Sequence, residues 1–199
     1  WGSNNGSLDV CRWQGVRWKR RQDSGGGGGA LRVVTGLSLE GEGVAGQIPP
    51  CISNLTYLTR IHLPFNSLGG ALPPEIGRLR YVNLSSNALT GAIPTELASC
   101  SALRVVSLKK NNLSGGIPAA LFKNCYSIQK VDLRMNNLDG PIPDLLPYHS
   151  STDTSSSLQL LGLTQNNLSG EIPSSVGNLS SLVYFLAACS EPSDRQHPR

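Results

Sequence analysis

Side chains able to run a reaction are few in this 199-residue chain, and they are scattered. The three histidines are His62, His149 and His197, and no Ser-His-Asp order accompanies them as a nucleophilic triad would need. Paired carboxylates for acid–base work are missing, and the cysteines (Cys11, Cys51, Cys100, Cys125, Cys189) contain no C-x-x-C to hold a metal. The run Gly25 to Gly29 is not followed by the Gly-Lys-Ser/Thr of a phosphate loop. The expectation is binding rather than catalysis, with no metal and no cofactor. Five cysteines also mean that not every thiol can pair within the chain.

Binding chemistry, by contrast, recurs in register. Five short apolar pairs, Ile61-x-Leu63, Val82-x-Leu84, Val106-x-Leu108, Val131-x-Leu133 and Leu161-x-Leu163, alternate with polar residues. Period-2 alternation with one buried side is a short strand, so the flanking residues face solvent. Those flanks supply the candidate ligand-binding residues Arg60, His62, Phe65, Arg80, Tyr81, Arg104, Lys109, Lys110, Lys130, Asp132, Arg134 and Met135. Equivalent positions on neighbouring strands lie about 4.8 Å apart, which sets Arg80 beside Arg104 and Lys109 beside Arg134. Like charges across a sheet destabilise it, and Asp132 relieves one neighbourhood only. Such a stripe fits an acidic peptide, protein patch or oligosaccharide; the alternative is an ordinary solvated face. Net charge is +4, but no aromatic stacking platform interleaves the basic residues, which argues against nucleic acid. No apolar run approaches the roughly 18 to 20 residues of a membrane span. Trp1 starts mid-phrase with no initiator Met and no signal peptide, as in a fragment or a mature chain.

What must position these strands is a repeated phrase, Asn-x-Leu-x-Gly-x-Ile-Pro. Full copies begin at Asn87, Asn111, Asn136 and Asn166, a softened copy runs from Asn66 to Pro73, and a first copy runs from Val44 to Pro49. Intervals between the asparagines are 21 (to Asn87), 24 (to Asn111), 25 (to Asn136) and 30 (to Asn166). A fixed period of this size means stacked coils, each burying its apolar face on the next. Asn can satisfy backbone groups with both its carbonyl and its amide as the chain leaves the strand. Gly permits a conformation closed to other residues, Ile enters the core, and Pro fixes φ behind it. The 21-residue interval has dropped a three-residue step, which predicts a pinched far side. The 30-residue interval carries a Ser/Thr-rich loop, Leu146 to Ser157. Cys100 and Cys125 hold nearly equivalent places in successive coils, either as a disulfide or as buried thiols. The expected organisation is a partial N-terminal cap with a flexible Gly-rich loop (1–30), a solenoid (31–188) and a polar tail (189–199). Sequons at Asn5, Asn54, Asn83 and Asn178 are candidate glycan acceptors, whereas those at Asn112 and Asn167 sit beside the motif Asn and risk steric block.

The whole phrase, L-x-x-L-x-x-L-x-L-x-x-N-x-L-x-G-x-I-P, resembles the plant-specific class of extracellular leucine-rich repeats. That class occurs in receptor-like kinases, receptor-like proteins and polygalacturonase-inhibiting proteins. Cys11-Arg-Trp13-Gln-Gly15-Val16-Arg-Trp18 resembles the family's N-terminal cap, C-x-W-x-G-V-x-C, with Trp18 in place of the second cysteine. The usual cap disulfide therefore cannot form. The Gly-rich insert and the wording Ile48-Pro-Pro-Cys51-Ile-Ser-Asn-Leu55 resemble grass immune receptor kinases. The resemblance implies an α/β, right-handed solenoid of about six to seven coils, with a parallel β-sheet on the concave face and 3-10 or irregular turns on the convex face. It further implies a ligand-recognition module in immune or developmental signalling at the outer face of the plasma membrane (the apoplast). Its partners would be a peptide, protein or acidic oligosaccharide and a leucine-rich-repeat co-receptor, with membrane contact only through a span outside these residues. A second reading is a soluble inhibitor of a microbial cell-wall hydrolase, resembling the polygalacturonase-inhibiting proteins. A third is a truncated product or decoy.

Overall fold

The computed structural model describes residues 15–22, 30–99, 102–145 and 156–187. Their strands, in chain order, are β1 (Val16–Gln22), β2 (Ala30–Ser38), β3 (Ala45–Gln47), β4 (Arg60–His62), β5 (Ser67–Gly70), β6 (Tyr81–Asn83) and β7 (Ala88–Gly91). They continue with β8 (Val105–Ser107), β9 (Asn112–Gly115), β10 (Lys130–Asp132), β11 (Asn137–Pro141), β12 (Leu160–Gly162), β13 (Asn167–Ser169) and β14 (Tyr184–Leu186). β1, β2 and then every even-numbered strand form one eight-stranded sheet, and the odd-numbered strands from β3 to β13 form a second sheet of six. Among the described residues the back is crossed by four 3-10 turns (Pro50–Asn54, Pro74–Arg78, Thr95–Ser99, Ser174–Asn178) and a single α-helical turn, α1 (Ala120–Lys123). This is the right-handed leucine-rich-repeat solenoid that the resemblance implies. The α-turn falls in the 25-residue interval, where one extra residue widens the crossing.

Register explains which side chains meet water. Ile61, Val82, Val106, Val131 and Leu161 pair in succession and all lie inside the core. Their neighbours, from Arg60, Tyr81 and Lys130 to His62, Asn83 and Asp132, stand on the open face. Ile48, Leu72, Ile93, Ile117 and Ile142 are buried as the motif predicts, but Ile172 is 53% exposed. Among the described residues no further coil stacks on it.

Motif asparagines do more than close their own turn. Asn111 donates from Nδ2 to the Leu108 carbonyl of its own coil (2.9 Å) and the Leu84 carbonyl of the preceding one (3.0 Å), while its Oδ1 accepts from Leu89 N–H (3.1 Å). Asn66, Asn87, Asn136 and Asn166 repeat that pattern, so a column of amides sews the coils together. The motif glycines Gly70, Gly91, Gly115, Gly140 and Gly170 all have φ between 71° and 81°, where a Cβ would be strained.

Two features lie beyond the repeat arithmetic. The Asn-x-Leu-x-Gly segment is itself strand, and these strands build the second sheet. At the other end, β1 pairs antiparallel with β2, with a bulge between Arg17 and Trp18, and so extends the large sheet beyond the repeats. Cys125 is buried with its thiol 3.7 Å from the Ala98 carbonyl. Cys11, Cys100, Cys189, Gly25 to Gly29, residues 146–155 and the tail from 188 lie outside the described residues.

The 21-residue interval is drawn in at the back. Gly77 packs against the next crossing so closely that a Cβ there would fall 2.0 Å from the Glu96 carbonyl oxygen. On its other side Arg78 uses one Nη to bond the Ile52, Ser53 and Leu55 carbonyls, capping the end of the preceding 3-10 turn. Replacing Arg78 with Ala should lower stability by about 1 to 2 kcal/mol in urea unfolding, with Lys restoring only part, because its shorter side chain ends one bond short of the Nη position.

Candidate ligand-binding face

Three of the expected residues converge at the N-terminal end of the open face. The Arg60 guanidinium lies over the Tyr81 ring, 3.6 Å from its centroid, a cation–π stack that fixes its plane. His62 Nε2 is 3.2 Å from Glu40 Oε2, and its Nδ1 faces Asn83 Nδ2 at 3.2 Å and the Tyr81 hydroxyl at 3.5 Å. Asn83 Oδ1 accepts from the Ser85 N–H (3.1 Å) and hydroxyl (2.7 Å), which orients its amide nitrogen toward the imidazole. Nδ1 is then the acceptor and Nε2 carries the proton donated to Glu40. The same contact occupies the Asn83 nitrogen that a glycan would use. Asn54 and Asn178 are exposed at the ends of their 3-10 turns, and Asn5 lies outside the described residues.

Farther along, the basic side chains separate into two kinds. Arg134 is spoken for: its Nε and Nη2 grip Asp132 Oδ1 and Oδ2 at 2.8 and 2.6 Å. Room for that fork comes from Gly162 on the neighbouring strand, where a Cβ would sit 3.0 Å from Asp132 Oδ1 and 3.1 Å from Arg134 Nε. The hydrogen bond to Asp132 raises the Arg134 pKa and burial opposes it, so the guanidinium stays charged. Arg80, Arg104, Lys110 and Lys130 are exposed and Lys109 is half-buried, and none makes an ion pair among the described residues. The unneutralised stripe is therefore narrower than the sequence suggests, without Arg134. An acid at the end of β10 and an arginine two residues beyond it were the signal for that pairing.

A further row borders this face. Phe65, Ser86, Lys110, Met135 and Gln165 each precede a motif Asn and each hold φ between 54° and 59°. A non-glycine residue is costly there, but the Asn hydrogen bonds over-determine the turn. Phe65 is 61% exposed in that conformation, whereas Met135 is half-buried. Among the described residues no group of three His, Cys, Asp or Glu is placed to hold a metal ion, and no helix is long and apolar enough to cross a membrane.

The Leucine Rich Repeat family model matches residues 78–100 and 157–179. A putative leucine-rich repeat receptor-like serine/threonine-protein kinase of Arabidopsis thaliana is 37% identical over 118 residues, covering 45% of this chain but 11% of the kinase. The leucine-rich-repeat ectodomain of the Arabidopsis thaliana receptor kinase GASSHO1/SCHENGEN3, solved in complex with CASPARIAN STRIP INTEGRITY FACTOR 2, superposes with a TM-score of 0.77 at 33% identity. That match covers 94% of this chain and 21% of the ectodomain. Pollen Receptor Kinase 3 superposes at 0.72 with 30% identity, covering 88% of this chain and 79% of that one.

Proposed function

This chain belongs to the plant leucine-rich-repeat family of receptor ectodomains, and we propose that it is an extracellular recognition module for a peptide or protein ligand. The ligand is read across the concave face of the eight-stranded sheet, and a leucine-rich-repeat co-receptor is the second partner. Signalling, in immunity or development, is delegated to parts of the receptor outside these residues. The organisation into a cap (1–30), solenoid (31–188) and tail (189–199), and glycans on Asn54 and Asn178, belong to the same proposal.

The observation that carries it is the stripe Arg80, Arg104, Lys109, Lys110 and Lys130, cationic residues without acidic partners among those described. Stability alone would favour neutralising such a column, as Asp132 does for Arg134. Electrostatic complementarity of this kind steers and orients an acidic partner. Peptides retained by the immobilised chain from a random display library should be enriched in Asp and Glu. Their affinity should fall by about tenfold or more for R104S/K109S/K130S, with weaker salt dependence. Retention of neutral peptides that bind the triple variant equally well would defeat the proposal.

A further inference from the structure

The large sheet ends on an arginine pair that the repeat does not account for. Arg17 in β1 pairs with Gly36 in β2, and Gly36 pairs in turn with Arg60 in β4. Both arginines stand on the open face, two strand spacings or about 10 Å apart at Cα. Between them Gly36 contributes no side chain. The point where its Cβ would sit is 3.3 Å from Arg17 Cδ and 3.4 Å from Arg17 Cβ, so the aliphatic stem of Arg17 lies across the glycine.

Arg60 is equally constrained. Stacking on Tyr81 fixes its plane, and its Nε is buried with no hydrogen-bond partner. A guanidinium held in this way is suited to receive a carboxylate through two parallel bonds. Neither arginine makes an ion pair among the described residues, and Glu40, the acid of the adjacent coil, is engaged with His62. Two guanidinium groups without acidic partners on one face, with the bare Gly36 between their strands, favour an anion lying across them.

We infer that Arg17, Gly36, Arg60 and Tyr81 form an anion-recognition notch at the N-terminal end of the face, fitted to a carboxylate side chain of an extended acidic peptide. An aromatic platform would favour a pyranose, and Arg60 already stacks on Tyr81, so the notch offers charge more than a stacking surface. The notch rests on the reading of this face as a peptide- or protein-binding surface, and adds a subsite and the charge of the group it takes. Arg17 belongs to no repeat, so the repeat pattern could not have singled it out.

The test is calorimetric titration of the full chain with a short oligo-glutamate peptide, its oligo-glutamine counterpart and an oligogalacturonate. Oligo-glutamate should bind in a salt-dependent way, and R17Q/R60Q should weaken it by about tenfold or more. Arg60→Lys, which keeps the charge and loses the planar fork, should also weaken it. Unfolding profiles identical to wild type exclude a folding defect in these surface variants. Unchanged affinity in R17Q/R60Q, or no oligo-glutamate binding at all, overturns the notch. If affinity in R17Q/R60Q is unchanged while R104S/K109S/K130S loses it, the notch falls and the broader reading of the face stands. Oligogalacturonate binding that depends on Arg17 and Arg60, with oligo-glutamate silent, overturns the assignment to a peptide.

Discussion

Replacing Asn136 with Ala is expected to cost about 3 to 5 kcal/mol, because one side chain serves four buried or half-buried backbone groups. Its Nδ2 bonds the carbonyls of Leu108 and Leu133 at 3.0 Å and of Arg134 at 3.3 Å, and its Oδ1 accepts from Leu113 N–H at 3.1 Å. Asn136 itself is 7% exposed, so water has little access to the groups left behind. Each orphaned buried group costs about 1 to 3 kcal/mol, partly offset by relaxation. Two of the partners, Leu108 and Leu113, belong to the preceding coil, so the damage is to stacking as much as to the local turn. Amide exchange should therefore accelerate at Leu113 and at strands on both sides of β10, not at the chain ends alone. Asn136→Asp sharpens the test. An ionised carboxylate would turn an acceptor toward three carbonyls, whereas the protonated acid can donate to one. The folded state thus favours the protonated form, and the penalty should grow as pH rises from about 4 to 7. A loss below about 1 kcal/mol for Asn136→Ala in urea unfolding would mean that the amide column is not what joins the coils.

How much of this was legible in the sequence depended on whether a residue acts within its own coil or across to the next. Ile61, Val82 and Val106 announced strands by alternation, and Gly91 and Gly115 announced a special backbone, because those demands are local. The second sheet was not legible. A strand with one buried leucine, such as Asn112-Leu113-Ser114-Gly115, carries too few alternations to stand out from a turn. The β1–β2 hairpin was hidden for another reason: its partner segments are separated by the glycine run and share no repeat phrase. At the binding face the candidate positions were legible, since they are the solvent-facing half of each strand. Their electrostatic state was not. Asp132 claims Arg134 just past the end of β10, while Arg60 of β4 stacks on Tyr81 of the adjacent β6, and both choices depend on spacing between side chains that only the stacked coils define.

Gly77→Ala is expected to be the other severe change, costing about 3 kcal/mol or more although it adds a single methyl group. Between Leu79 and Val82 the chain has two residues where the preceding coil, from Leu55 to Ile61, has five, so the back of this coil must be shorter than its neighbours. The slack is taken up at Gly77, where an added Cβ would lie 2.0 Å from Glu96 O, 2.7 Å from Glu96 C and 3.2 Å from Leu97 Cα. All three are backbone atoms of the following 3-10 turn, and no rotamer change can clear them. The methyl group forces Pro74–Arg78 and Thr95–Ser99 apart, which disturbs Ile76 and Leu97, both fully buried between them. Gly177 supplies the control. It holds the same place in the Ser174–Asn178 turn, yet nothing lies within 4 Å of its Cβ position, so Gly177→Ala should be neutral or slightly stabilising. Comparing the two variants by urea unfolding separates the loss of glycine itself from the contact between turns. Equal midpoints would mean that the shortened coil is not pressed against its neighbour, and that the missing three-residue step is absorbed somewhere other than Gly77.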